Sequence, residues 1–449
     1  MKLTKLPRFE RGLLAFLSHM HNMTQQLTIL VLCNKPKEKI DASTIIDHID
    51  AFENYSKNHI YHYSNIGVHP RKLDLNRFDI IVVHYSICLL GTFYLVDKTK
   101  KAIKKFKGLK ILFIQDEYRR IDAFHREIIN LEFDILYTCV PNAEIEKVYP
   151  SALFPTLRKI NTLTGYVPAN LLMENPPLLK DRSVDVGYRA RKVPFWLGSL
   201  GAEKYKIADE FYAHTKCYKL ISDISYKEKK RLYGCDWINF ITSCKTMLGV
   251  ESGSSVFDFS GEIEKKVEQY QLYHPSVSFE TIHDLFLKNY EKKIILNQIS
   301  PRCFEAIALK TVLILYEGSY SGILQPWQHY IPLKKDFSNI KTVVKFIKSV
   351  DQLQIISDRA YQEIALNPMY SYKNFINKFD EIVLSEFYLR KKNKIELNYT
   401  KDDFFKTINS FDFFEMFLKK IKIYIKFPFK LMPDIIKRPL RFLYFHFFT

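Results

Sequence analysis

The sequence lacks the motifs that mark several common classes of enzyme. No GxGxxG follows its first predicted strand, and GxxxxGK[ST], HExxH and GxSxG are absent, so nicotinamide chemistry, P-loop phosphoryl transfer, zinc proteolysis and serine hydrolysis lose support. It has no DxD and no CxxC, and its seven cysteines show no metal-ligand spacing. These absences indicate a protein of the reducing cytoplasm that contains no structural zinc. They also favour a reaction without a metal or other cofactor.

Long apolar segments are also scarce. Residues 80–96 contain no Asp, Glu, Lys or Arg, but His84 and Thr92 interrupt them, and the segment is shorter than a usual membrane span. Residues 1–26 hold only a brief apolar stretch with no small-residue cleavage site after it, which is not typical of a secretion signal. We therefore expect a cytoplasmic protein.

Positive charge and aromatic side chains are abundant. Lys and Arg number 67 against 49 Asp and Glu, which indicates anionic partners. Residues 401–449 interleave aromatic and basic side chains, a composition typical of a helical segment lying on an anionic membrane surface. Pro428, Pro433 and Pro439 break this tail too often for it to span a bilayer. The alternative is a helix that packs its aromatic side against the body of the protein.

Short apolar runs recur along the chain with helical stretches between them, which predicts parallel, doubly wound sheets. The fold class is therefore α/β, with two Rossmann-like domains facing each other across a cleft. The predicted strands are residues 27–32, 80–83, 111–114 and 135–137, then 184–188, 218–221, 247–250, 312–316 and 330–332. The predicted parts are an extension (1–26), a first domain (27–165), a linker (166–182), a second domain (183–366), return helices (367–400) and the tail (401–449).

The most informative segment is ISPRCFEAIALKTVLILYEG, residues 299–318. Ser300 can cap a helix, and Pro301 suits the first helical position. The free amides of such a helix start, with Arg302 in its first turn, favour phosphate binding. Glu305 lies one turn further along on the same side, where its carboxylate can accept hydrogen bonds from ribose hydroxyls.

This segment resembles the group-1-like glycosyltransferases with the GT-B fold, which include bacterial surface-polysaccharide enzymes. The matching residues are Glu305-Ala306, Lys310-Thr311 and the strand at 312–315, and residues 328–339 are similar to the next strand and helix start of bacterial members. The resemblance implies that the second domain holds a nucleotide-sugar donor and that Glu305 contacts it. Asn297 stands where the family has the first of two paired glutamates, so a donor such as a cytidine-monophosphate sugar acid stays open.

Two further clusters in the second domain are candidates for donor binding. Arg189 and Arg191 end a predicted strand, where a cation facing the cleft neutralises the donor phosphate and the leaving nucleotide. Glu251, Ser252 and Gly253 follow another strand, and the small residues permit close approach of the backbone to a base, ribose or phosphate.

The first domain offers three candidates for a general base that takes the proton of the acceptor hydroxyl. Asp116 and Glu117 close a buried strand and rank first and second, and His84 at the end of the preceding strand is the rival. The alternative for the two carboxylates is structural, with Asp116 capping the next helix and Glu117 pairing with Arg120.

These features predict a metal-independent glycosyltransferase at the inner face of the cell membrane. Its partners would be a nucleotide-sugar donor, a bacterial surface glycan or glycolipid acceptor such as lipopolysaccharide or capsule, and an anionic membrane, with no nucleic acid. Two alternatives remain. A non-catalytic nucleic-acid or glycan-binding protein would show steeply salt-dependent binding if its ligand is nucleic acid, and a nucleotide-sugar epimerase would need no acceptor.

Overall fold

The computed structural model describes residues 26–36, 42–64, 73–390, 392 and 400–409. The first domain contains β1 (Thr28–Cys33), α1 (Ser43–Tyr55), β2 (His59–Ser64), β3 (Ile80–Val83), α2 (Asp97–Lys105), β4 (Leu109–Phe113), α3 (Ile121–Leu131), β5 (Ile135–Thr138), α4 (Ile145–Val148) and β6 (Arg158–Asn161). Its strands form one parallel sheet in the order β2-β1-β3-β4-β5-β6. Strands β1, β3, β4 and β5 are buried along their length, which explains why they are mostly apolar instead of alternating.

The second domain repeats this architecture. It contains β7 (Val184–Arg189), α5 (Gly198–Thr215), β8 (Ser222–Ser225), α6 (Gly234–Ser243), β9 (Cys244–Gly249), β10 (Ser252–Ser254), α7 (Glu262–Tyr273), α8 (Phe279–Ile282), β11 (Leu296–Gln298), α9 (Pro301–Ala308), β12 (Val312–Tyr316), β13 (Tyr330–Leu333), α10 (Ile340–Ile347) and α11 (Val350–Ala360). Five strands form a parallel sheet in the order β13-β12-β9-β7-β8, and β10 and β11 form a separate antiparallel pair.

The last two described helices return to the first domain. Helix α12 (Tyr372–Leu389) places Phe375 and Phe379 in the core beside α1. Its Asp380 carboxylate accepts hydrogen bonds from Ser56 Oγ at 2.8 Å and from the Lys57 amide at 2.7 Å. Helix α13 (Lys401–Asn409) packs Phe404, which is 1% exposed, against the rings of Tyr61 and Phe78.

The predicted fold of two Rossmann-like domains is confirmed, and the strand predictions err at the sheet edges. Strands β2 and β6 were not predicted, because both are edge strands whose HIYHYS and RKIN sequences carry polar side chains. The strand predicted at 218–221 is β8, an edge strand of the second sheet, and it begins four residues later than predicted.

The predicted membrane-surface tail lies mostly outside the described residues, which end at 409. Its first segment, α13, packs on the first domain through Phe404, as the alternative of a packed helix expects. Within the described ranges, no helix is both long and apolar enough to cross a membrane.

Candidate functional site

A cleft of about 440 Å³ separates the carboxyl ends of the two sheets. This edge is where ligands bind in open α/β sheets, because the loops after parallel strands converge there. The first domain contributes the start of α1 and the loops after β3 and β4. The second domain contributes the ends of β7 and β9, the loop before α6, and the first turn of α9.

The start of α9 forms one wall of the cleft. Ser300 occupies the capping position but makes no side-chain capping hydrogen bond, and Pro301 begins the helix. Arg302 is exposed, donates from Nη1 to the Arg189 carbonyl oxygen at 2.6 Å, and lies 5.5 Å from the centre of the Trp237 ring. A guanidinium fixed in this way presents its remaining donors to the cleft.

Glu305 lies deeper in the same wall, where the two domains meet. Its Oε2 accepts a hydrogen bond from Trp237 Nε1 at 2.8 Å, and its Oε1 lies 3.4 Å from Thr44 Oγ1 of the first domain. The residue is 5% exposed, and burial raises the pKa of its carboxyl. Burial, together with this same carboxyl, raises the pKa of Asp47 on α1 to about 7.

Positive charge collects on the second-domain side of the cleft. Arg191 after β7, Lys204 in the second turn of α5, and Arg302 all line it. Burial is the main reason that the pKa of Lys204 is lowered to about 8; Asp116 across the cleft raises this pKa, and Arg302 and Arg191 contribute to the lowering. Lys204 therefore lies close enough to all three charged side chains for each of them to affect its pKa.

Arg189, predicted to bind the donor phosphate, is committed elsewhere. Its Nη2 pairs with Asp223 Oδ2 at 2.7 Å, its Nη1 donates to two backbone carbonyls, and its guanidinium lies 4.0 Å from the centre of the Phe240 ring. Arg189 is 8% exposed. It therefore serves the cleft through its backbone carbonyl, which holds Arg302, and Arg191 is the exposed member of the predicted pair.

The loop after β9 also has some residues that face the cleft and one that points into the protein. Ser252 and Gly253 line the cleft, and Gly253 has φ +120°, with a hypothetical Cβ only 1.8 Å from the Leu296 carbonyl oxygen. Glu251, predicted to bind the donor, instead points into the protein. Its carboxylate accepts from the amides of Ser319 and Tyr320 at 2.9 and 2.7 Å. It also accepts from the side chain of Asn297 at 2.7 Å.

Of the three candidate bases, only Asp116 lines the cleft. It has φ 60°, an uncommon conformation for a residue with a side chain and one that often accompanies functional sites. Glu117 is 1% exposed and accepts hydrogen bonds from Thr138 Oγ1 and the Cys139 amide, both at 2.6 Å, and from Tyr149.

The expectation that Glu117 or His84 faces the cleft is wrong, and Glu117 pairs with these groups rather than with Arg120. His84 is fully buried, with its ring nitrogens 2.9 Å from His48 Nδ1 and Ser86 Oγ. Burial holds the pKa of His84 well below its usual range.

Comparison with solved structures identifies the fold, whereas no protein-family model matches the sequence. An alpha-glucosyltransferase in complex with UDP and a 13-mer DNA containing a HMU base superposes with a TM-score of 0.50 at 9% identity, covering 80% of this chain and all of that one. The complex with DNA containing a central A:G mismatch gives the same values. The T4 phage BGT complex with UDP-glucose, at 12% identity and covering 85% and 99%, has a TM-score of 0.41. The chain has the GT-B fold.

Three residues of the GT-B cleft escaped the sequence reading. Lys204 lies within α5, and no motif surrounds it. Trp237 contributes through its contacts with Glu305 and Arg302. The local sequence therefore gives no signal for either residue. Tyr85 follows β3 and lines the cleft, and its buried hydroxyl has no hydrogen-bond partner among the described residues. The neighbouring His84, which was predicted as a rival base to Asp116, points inward.

In the part of the chain that the structure describes, no cluster of three or more His, Cys, Asp and Glu side chains is arranged to hold a metal ion. Metal independence stays a prediction, which activity in the presence of a chelator would test.

Proposed function

We propose that the protein is a glycosyltransferase that moves a sugar from a nucleotide-sugar donor to a hydroxyl group of an acceptor. The observation that supports this most is the division of charge across the cleft. Arg191, Lys204 and Arg302 lie on the second-domain wall, and Asp116 lies on the first-domain wall. Glycosyl transfer needs both, because negative charge grows on the leaving phosphate while a proton leaves the acceptor.

In the proposed reaction Asp116 accepts the proton of the acceptor hydroxyl. The hydroxyl oxygen forms the new bond to the anomeric carbon, and the bond from that carbon to the nucleotide phosphate breaks. The phosphate departs with the electron pair, and the cations Lys204, Arg191 and Arg302 stabilise its charge. Glu305 would accept hydrogen bonds from the ribose, next to Ser252 and Gly253.

For the acceptor we propose a sugar hydroxyl of a bacterial surface glycan or glycolipid. Its support is the sequence resemblance and the carboxylate of Asp116 on the acceptor wall. Negative charge there disfavours an acceptor whose phosphates lie close to the reacting hydroxyl. The alpha-glucosyltransferase structures contain DNA, so DNA is the competing acceptor. The position at the inner membrane face, with the tail as anchor, is part of the same proposal.

Thermal-shift screening against free nucleotides and nucleotide sugars tests the donor site, because a ligand bound only to the native state raises the melting temperature. We expect a shift with one nucleotide class that is lost in Arg302→Ala and Glu305→Gln. It should be kept in Lys341→Ala, which changes an exposed lysine on α10. A shift that survives both site variants would contradict this donor site.

The identified donor is then incubated with lipopolysaccharide, with capsular oligosaccharides, and with duplex DNA carrying a hydroxymethylated base. Transfer to a glycan supports the full proposal. Transfer to DNA keeps the activity and overturns the acceptor. Conversion of the donor without any acceptor indicates the epimerase. Binding of DNA without any turnover of the donor indicates the non-catalytic alternative.

A further inference from the structure

A second cavity of about 430 Å³ opens at the far end of the first domain, beside the amino ends of β4 and β5. It lies at the opposite edge of the sheet from the cleft, so the proposed reaction does not use it. Its wall contains lysines and other polar residues together with aliphatic and aromatic ones: Phe106, Ile128, Ile129, Phe133, Phe154 and Leu157. At its mouth Ile129 is 47% exposed and Leu153 43% exposed.

Lysines surround this opening. Residues 97–107 contain six lysines and one aspartate, and Lys101, Lys104 and Lys107 are exposed. Lys104 and Lys107 line the cavity, as do Lys110 and Lys392 from other segments. Helix α2 and the loop after it thus present a basic stripe beside exposed apolar side chains.

The carboxylates that face this stripe are already paired. Glu127 lies 3.0 Å from Lys100, and Glu132 lies 3.7 Å from Lys110. Asp134 pairs with Arg390 at 3.1 Å and lies 3.6 Å from Lys392. The face therefore keeps a net positive charge around an opening that has exposed aliphatic side chains at its mouth.

We propose that this face binds the surface of an anionic phospholipid bilayer. The lysines of α2 and of the loop after it would contact lipid phosphates, while Ile129 and Leu153 enter the interface. Anionic surfaces attract such lysines, and apolar side chains gain by entering the interfacial region. The backbone of a nucleic acid would satisfy the lysines but would leave the exposed aliphatic side chains without a partner.

This surface belongs to the described body of the protein, so it is distinct from the basic tail. It makes its own prediction, namely that α2 touches the bilayer. Because the cleft opens at the other end of the sheet, the acceptor hydroxyl would react at a distance from the lipid headgroups.

The test uses the full chain and vesicles of phosphatidylcholine with or without phosphatidylglycerol. We expect the triple variant Lys101→Glu, Lys104→Glu, Lys107→Glu to bind the anionic vesicles about tenfold more weakly or worse. The matched control Lys341→Glu, Lys345→Glu, Lys348→Glu changes the net charge equally on an exposed part of the second domain and should bind within about twofold of the native protein. Circular dichroism melting confirms that both variants fold.

A contact measurement separates this face from the tail. Leu153→Trp places a fluorophore at the cavity mouth, and Leu272→Trp places one at a similarly exposed site on α7. We expect brominated phospholipid to quench Leu153→Trp and to leave Leu272→Trp as quenched as the native protein. Vesicle binding without quenching at residue 153 would assign binding to the tail alone and overturn the proposal. Absent vesicle binding, or loss of duplex-DNA binding but not vesicle binding in the α2 variant, would overturn it too.

Discussion

The two walls of the cleft differ in how their charged side chains are held. On the first-domain wall Asp116 faces the cleft, and directly behind it the Glu117 carboxylate is saturated by Thr138, Cys139 and Tyr149. On the second-domain wall Arg302 is exposed, whereas Arg189 is bonded to Asp223 and stacked on Phe240. In both walls a group available to a ligand sits beside a group of the same charge that holds the fold together.

Loss of the cleft-facing carboxylate should have the largest effect. We expect Asp116→Asn to lower kcat about 10²- to 10⁴-fold, because the amide cannot accept the acceptor proton. Nucleotide binding should stay within about twofold, since the cations remain. Steady-state kinetics and a nucleotide titration check this, with Asp122→Asn on α3 as the control. Unchanged kcat would remove Asp116 as the base.

Loss of the exposed cation should come next. We expect Arg302→Ala to weaken nucleotide binding about tenfold to a hundredfold, because a charge-assisted hydrogen bond to phosphate is worth about 1.5–3 kcal/mol. Arg302→Lys should recover part of this loss, since it restores the charge but not the forked geometry. Calorimetric titration measures both. Equal affinities for Arg302→Ala and the native protein would place the phosphates elsewhere in the cleft.

Substitution of Glu117, the buried neighbour of Asp116, should change stability and leave ligand binding intact. We expect Glu117→Gln to lower the free energy of unfolding by about 1–3 kcal/mol, because a buried hydrogen-bond network loses a matched acceptor, and to leave nucleotide affinity unchanged. Burial raises the pKa of the Glu117 carboxyl from 4.5 to about 7. The native protein is therefore stabilised by protonation of Glu117 at low pH, and it loses this stabilisation as the pH rises from about 4.5 to 7. Denaturant unfolding should therefore show a larger deficit at pH 5 than at pH 8.

The smallest effect should be a dependence of nucleotide affinity on pH. Burial lowers the pKa of Lys204 to about 8, so the free protein loses this positive charge as the pH rises above 8. We expect affinity for the nucleotide to fall about threefold to tenfold from pH 7 to pH 9. Lys204→Arg should flatten this dependence, because arginine stays protonated. The same decline in both proteins would attribute it to another group.

The buried apolar strands of the fold could be read from the sequence, and its polar edge strands could not. Strands β3 and β12 lie at the residues predicted, because runs such as IIVV and VLILY are buried on both faces. The edge strands β2 and β6 carry polar residues on a half-exposed surface and so lack that signal.

The sequence predicted which strand ends line the site, but not which of two neighbouring side chains faces the cleft. Sequence reading located Arg302, Glu305, Ser252, Gly253, Arg191 and Asp116 at the cleft, all of which line it. It could not separate Asp116 from Glu117, or Arg191 from Arg189, because neighbouring side chains leave the backbone in different directions. Which of each pair faces inward depends on partners distant in sequence, such as Tyr149 and Asp223.

The return of α12 to the first domain has a consequence for the order in which the protein folds during synthesis. Tyr372, Phe375, Ile376, Phe379 and Phe387 belong to the same core cluster as β1 and α1. The ribosome therefore releases the start of the first domain long before the side chains that complete its core. The second domain, whose sheet is complete at Leu333, can close first. The domain that is synthesised first is thus finished last, and until then it exposes an apolar groove to the chaperones that bind nascent chains.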